Sequence, residues 1–340
     1  MKKLIAMLLV LVMAVALVAC STPEANNSKG TIAVIAKGET HAFWLAVRSG
    51  AEKAAADYGY SVTFRGPTKE SEEYVNEQRE MLQAALNNAN VKAIVLATIG
   101  LGFTDELSAA YDKNLPVVEF DSGLYQGGAD LNPDKDPTIG SVATDNYAAA
   151  GVVATNFYAY LKAQNVLADG YKVGIIQHDS SATGIDRAKG FEDKIKELAT
   201  ADGYELDINT QVKANNEGEY EMGLNALQNW GAQSIFMTNE GIVNEVYPAI
   251  CVNTTPYKDI LFCGFDCATN QHDWIKDAGA NYPLLVGSVA QDSFSIGYKA
   301  VELAIAKLEG KAVADVGIPG VWYTKENIDA LKEQNIFYMG

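Results

Sequence analysis

From Thr31 onward the chain alternates short, unbroken apolar runs with longer stretches whose apolar residues recur every three or four positions. The first run, Ile32 to Ala36, is β-branched and alanine-rich and is closed by Gly38; the stretch after it carries Val47, Ala51, Ala54, Ala55 and Tyr58 on one helical face. Further runs predict strands at Ser61 to Arg65, Ala93 to Thr98, Val117 to Phe120, Lys172 to Gln177, Leu206 to Val212, Ser234 to Thr238, Ile260 to Phe265 and Leu285 to Ala290. Helical periodicity fills the gaps: Val75, Gln78, Leu82, Ala85 and Leu86 within Glu72 to Leu86, Ala149, Val152, Val153, Phe157 and Tyr160 within Asn146 to Leu161, and Ile296, Ala300, Leu303 and Ile305 within Phe294 to Leu308. Strands alternating with helices point to parallel sheets covered on both faces. There are too many strands for one compact sheet, so two α/β lobes are expected. A boundary falls near Thr144-Asp145, after a polar loop from Ser122 to Ile139, with Asp145 as the N-cap of the next helix.

The apolar run from Leu4 to Leu17 breaks this pattern. It follows Lys2 and Lys3 and is shorter than the ~20 residues a spanning helix needs, so residues 1–20 read as a signal peptide. Its end, Leu17-Val18-Ala19-Cys20, resembles the bacterial lipobox, which implies cleavage before Cys20 and lipid attachment to its thiol. Residues 21–30 are a polar tether without apolar periodicity. The expected product is an extracytoplasmic protein anchored to the cell membrane.

Charge and motifs narrow the chemistry. With 26 Lys and Arg against 43 Asp and Glu, the net charge of −17 argues against nucleic acid as a partner. Three cysteines follow Cys20. Cys263 and Cys267 are spaced C-x3-C without accompanying ligands, so small buried hydrophobes is the leading reading, with a disulfide to Cys251 left open. Asp130 to Asp136 carries oxygen side chains at alternate positions, but it lacks the glycine and the terminal glutamate of a calcium loop and reads as acidic surface. Phosphate-loop, nucleophile-elbow and HExxH patterns are absent, and Gly100-Leu101-Gly102 lacks the third glycine of a dinucleotide fingerprint. No metal, no cofactor and no catalysis are expected.

What recurs is a polar residue just past the carboxyl end of an apolar strand: Asp121, Asn239-Glu240, Asp266 and Gln291-Asp292. Each alone is more often a helix N-cap or turn residue. Together they bring acids and amides to one edge, where open α/β sheets bind ligands. His41, Phe43 and Trp44 follow the first strand there. Amides and carboxylates suit vicinal hydroxyls and aromatic faces suit a sugar ring, so the set fits a neutral polyol.

The motifs HAFW, GAEKAA, VVEFDS, ATDN, RAKGF, GLNALQN, FMTNE, CGFD and VAQD together resemble the type I periplasmic sugar-binding proteins of ABC importers, in the ribose- and galactose-binding group and nearest its ribose branch. The resemblance covers the chain from Thr31 to the C-terminal region. It implies two similar Rossmann-like lobes with parallel sheets, 31–144 plus 292–318 and 145–291 plus 319–340, joined by a three-segment hinge near Thr144, Gln291 and Pro319. It implies ligand contacts at His41, Phe43 and Trp44 on the first strand-to-helix loop, at Asp121 and Ser122, and at Arg187, Asn239, Asp266 and Gln291. His41 stands where many members have Asn or Asp, and Ser122 where ribose binders have Arg, which points away from ribose itself. The second-lobe aromatic of ribose binders has no evident counterpart, with Tyr220 nearest. The implied mechanism is a monomer that closes on its sugar and docks on a membrane permease. A sensory receptor using the same cleft, a nucleoside or furanosyl signal as ligand, and an enzyme with Asp121 and Asp266 as paired carboxylates are the alternatives.

Overall fold

A computed structural model describes residues 28–40, 42–213, 218–267, 269–277 and 282–333 of the chain. The leader with Cys20, and His41, lie outside the described residues. In chain order the strands are β1 (Thr31–Ile35), β2 (Ser61–Arg65), β3 (Val91–Leu96), β4 (Val117–Phe120), β5 (Thr138–Thr144), β6 (Tyr171–Gln177), β7 (Leu206–Val212), β8 (Ser234–Met237), β9 (Leu261–Phe265), β10 (Leu285–Ala290), β11 (Val316–Ile318) and β12 (Val321–Tyr323). The helices are α1 (Ala42–Tyr58), α2 (Val75–Leu86), α3 (Thr104–Asp112), α4 (Asn146–Ala163), α5 (Ala182–Ala201), α6 (Glu219–Trp230), α7 (Glu240–Val252), α8 (Thr269–Asp277), α9 (Ser293–Leu308) and α10 (Ile328–Glu333).

The strands form two six-stranded sheets, β11-β5-β4-β3-β1-β2 and β12-β10-β9-β8-β6-β7. The first is parallel throughout, and in the second only β12 runs antiparallel. Alternation along each strand sorts side chains to two covered faces. In β1, Ile32 and Val34 pack with Val47 and Ala51 of α1 and Ile296 and Ala300 of α9, while Ala33 and Ile35 meet Leu82 and Leu86 of α2 and Leu107 of α3. In the second lobe Phe236 of β8 stacks on Phe191 of α5, the ring centroids 4.3 Å apart.

The chain passes between the sheets after β5, after β10 and between β11 and β12. The segment after β10 returns to the first lobe through glycine. A Cβ on Gly297 would stand 1.9 Å from the Val47 carbonyl oxygen, and one on Gly50 2.0 Å from that of Phe294, so α1 and α9 touch backbone to backbone. Tyr58 donates to Glu302 across the same pair at 2.6 Å. The Asp145 amide donates to the Ile318 carbonyl at 3.0 Å, tying the first crossing to the third.

Three sequence expectations need adjusting. The predicted polar loop to Ile139 overlaps β5, a Gly- and Ser-containing strand held by its ladders to β4 and β11 rather than by an apolar run. The three-residue strands β11 and β12 carry too little pattern to be read. Phe43 and Trp44 lie in the first turn of α1 rather than on the preceding loop, because the apolar face of that helix extends back through them. Asp145 caps α4 as its position suggested, accepting from the Ala148 amide at 2.9 Å. Cys263 and Cys267 are buried, and Cys251 is exposed with its thiol free, so the open question of a disulfide to Cys251 closes against one. Asp130 of the acidic loop accepts from the amides of Gly102 and Phe103 ahead of α3. Among the described residues no helix is long and apolar enough to cross a membrane.

Candidate functional site

The carboxyl ends of both sheets open onto one cavity of about 950 Å³, lined from each lobe. Asp121 directly follows β4 and Asp266 directly follows β9, strands in equivalent positions of the two sheets. Both aspartates have left-handed backbone, φ 54° and 68°, a conformation that Asp tolerates better than most residues. Each donates its amide to the neighbouring strand, Asp121 to Val142 at 3.0 Å and Asp266 to Val289 at 2.7 Å. Each also faces a cation.

On the first lobe that cation is Lys37, just past β1. Its ammonium lies 3.1 Å from Asp121 and 3.0 Å from Glu70, and 5.8 Å from the Trp44 ring centroid. Burial would lower its pKa, but the two carboxylates outweigh that and hold it above the ordinary lysine value. Trp44 donates its indole N–H to Glu70 at 3.1 Å. The Trp44 ring is nearly sealed in, 2% exposed, edge-on to Phe43 at 4.7 Å and to Phe120 at 6.0 Å. Ser122 is exposed on the same wall, and Tyr125 reaches across to hydrogen-bond Glu72.

On the second lobe Arg187, buried in α5, lies 3.8 Å from the Phe265 ring centroid. It donates Nε to Asn146 Oδ1 at 2.8 Å and Nη1 to the Thr238 carbonyl at 3.0 Å, and pairs with Asp266 at 3.4 Å. Asp266 accepts further from Gln291 Nε2 at 2.7 Å and from the Glu240 amide at 3.1 Å. Asn239 lines the cavity while its Oδ1 caps α7, accepting from the Ile242 amide at 3.0 Å. It serves both roles that its position allowed. His178 pairs Nδ1 with Thr238 Oγ1 at 2.7 Å, and burial, helped by Arg187, lowers its pKa to about 4. Burial, with the carboxylates of Asp266 and Glu70, pushes Glu240 up to about 7. Tyr220 is buried behind His178, its hydroxyl 3.4 Å from the His178 carbonyl, and is outside the cavity wall.

The cavity thus gathers Phe43, Trp44, Asp121, Ser122, Arg187, Asn239, Asp266 and Gln291. It also adds Lys37, Glu70, His178 and Glu240. Lys37 and His178 obey the strand-end rule that selected the acids and amides; extending the rule to cations and imidazoles finds them. Glu70 sits on an irregular segment before α2 and has no local signal.

Two doubly wound lobes with a polar cavity between their carboxyl edges define a type I periplasmic binding protein. The chain belongs to the periplasmic binding protein family, whose domain model matches residues 32–312. It is 24% identical over 313 residues to the ribose import binding protein RbsB of Escherichia coli (strain K12), covering 89% of this chain and 93% of that one. Among solved structures it is similar to an ABC transporter, LacI family transcriptional regulator from Brachyspira murdochii, at 31% identity and TM-score 0.76, with 91% and 98% of the two chains covered. An ABC transporter solute-binding protein from Agrobacterium vitis with bound D-fucose matches at 28% identity and TM-score 0.65, with 91% and 100% covered.

Proposed function

We propose that this protein is the solute-binding component of an ABC importer, capturing a neutral monosaccharide or related small polyol between its lobes and delivering it to a membrane permease. Its family, and its similarity to a ribose import protein and to a D-fucose-bound solute-binding protein, support the reading. The observation that carries it is the pair of facing aspartate–cation couples, Asp121 with Lys37 and Asp266 with Arg187, at the carboxyl edges of two sheets around one cavity. Both cations are already engaged, and the wall also holds Glu70, Glu72, Asp179 and Glu240. A phosphorylated or carboxylated ligand would meet net repulsion, whereas hydroxyls can share the carboxylate and amide edges.

In this reading Phe43, Trp44, Asp121 and Ser122 form the first-lobe wall and Arg187, Asn239, Asp266 and Gln291 the second, with His41 proposed from the sequence as a further ligand contact. The lobes are 31–144 plus 292–318 and 145–291 plus 319–340. Closure about the hinge follows from the ligand's greater affinity for the closed arrangement. The ligand leaves unchanged, since no bond is made or broken. The protein acts as a monomer outside the cytoplasm, held by a lipidated Cys20 through the tether at 21–30. A thermal-shift panel of pentoses, hexoses, deoxyhexoses, nucleosides, sugar phosphates and uronates tests the ligand class. A rise in Tm with an uncharged sugar is expected, and a response confined to the anionic members would sink it.

A further inference from the structure

Five side chains around the first crossing form a closed circuit of hydrogen bonds. Thr144 Oγ1 donates to Gln291 Oε1 at 2.8 Å, and Gln291 Nε2 donates to Asp266 Oδ1 at 2.7 Å. Arg187 Nη1 lies 3.4 Å from Asp266 Oδ2 and Arg187 Nε donates to Asn146 Oδ1 at 2.8 Å. Asn146 Nδ2 then donates to the Thr144 carbonyl at 3.1 Å, which returns the circuit to its start. Thr144, Asp266 and Arg187 are buried, at 6%, 5% and 5% exposure.

The placement of these residues gives the circuit a role. Thr144 is the last residue of β5 in the first sheet, Gln291 is the first past β10 in the second, and each stands where the chain passes between sheets. Gln291 is used at both ends. Its oxygen can only accept and its nitrogen only donate, so the amide fits between a hydroxyl and a carboxylate in one orientation. Any relative rotation of the lobes must move the two crossings, and with them the Thr144–Gln291 link.

We infer that Thr144 and Gln291 are positioning residues, which couple the angle between the lobes to the placement of Asp266 and Arg187 in the cleft. A ligand that engages Asp266 or Arg187 stiffens the circuit, and the circuit holds the crossings. Losing the link frees the lobes from this arrangement. The inference rests on reading the cavity as a binding cleft, but its test uses ligand-free protein, so it succeeds or fails independently of which solute binds.

Thr144→Val removes the hydroxyl while keeping the shape of the side chain. Small-angle scattering of the ligand-free protein should report a changed distribution of lobe separations, the weight of the arrangement that holds the link falling about fivefold relative to the others, as loss of one hydrogen bond implies. Thr144→Ser, which keeps the hydroxyl, should match the parent chain. Gln291→Leu should shift the distribution in the same direction, and the double variant Thr144→Val/Gln291→Leu no further than the larger single change, because both cut one link. A Thr144→Val profile superimposable on the parent, even with a lowered Tm, overturns the inference, as does full additivity in the double variant.

Discussion

The Lys37 ammonium lies 3.1 Å from Asp121, so the first-lobe wall of the cleft carries a cation already committed to a carboxylate. Glu70 holds it from the other side at 3.0 Å and also accepts from Trp44. Lys37→Met therefore leaves two carboxylates facing each other without compensation. The pair is partly solvated, Glu70 having 48% side-chain exposure, so the cost should be about 1–2 kcal/mol rather than that of a sealed ion pair. Urea denaturation measures it, and adding Asp121→Asn should recover part of the loss. A double variant weaker than Lys37→Met alone would show that the repulsion is unimportant.

Arg187 and Asp121 face the cavity from opposite lobes. Arg187→Ala and Asp121→Ala should each abolish the thermal shift given by the responding sugar. Arg187→Ala should also lower stability by about 3 kcal/mol, since it leaves Asp266 buried with one less donor. Retention of the full ligand shift in both variants would remove these residues from the site.

His178 gives the fold a defined acid limb. Burial first, and Arg187 second, lower its pKa from 6.5 to about 4. Between those values the unfolded chain binds the proton and the folded chain does not. Its contribution is thus complete above about pH 6.5 and is lost as pH falls toward 4, amounting to at most about 3 kcal/mol. His178→Asn should flatten the stability–pH curve across that window; an unaltered slope would assign the acid limb to other groups.

Gly297 packs against the backbone of α1, where a methyl group would stand 1.9 Å from a carbonyl oxygen. The obstacle is main chain and cannot rotate away. Gly297→Ala should cost about 3 kcal/mol by chemical denaturation, at the upper end for overpacking. A change below ~0.5 kcal/mol would mean that α1 and α9 separate freely.

Much of the fold is readable from the apolar runs. The ends of β4 and β10 coincide with their runs, because strands buried on both faces need nearly continuous apolar sequence, and those of the more polar, half-exposed outer strands β2 and β7 coincide as well. β5 and β12 escape that test, the first because its neighbours support a Gly-Ser stretch and the second because it is three residues long. In the site, Asp121 and Asp266 were visible as strand-end acids. Lys37 was equally placed, but as a lone cation it carried no pattern beyond position. Trp44 shows where local reading stops: the residue that suits a sugar face also continues the apolar face of α1, and its ring is almost wholly enclosed. Glu70 reaches the cleft only through tertiary structure.

The backbone contact between α1 and α9, and the late strands β11 and β12, also bear on how the chain is made. Tyr58 waits for Glu302, 244 residues later, and the first sheet lacks its last strand until Ile318 has been added and the second until Tyr323. Contacts so distant along the chain form slowly. On the ribosome most of the polypeptide therefore emerges before either lobe can close, leaving a long interval in which it is still a thread and not yet a globule.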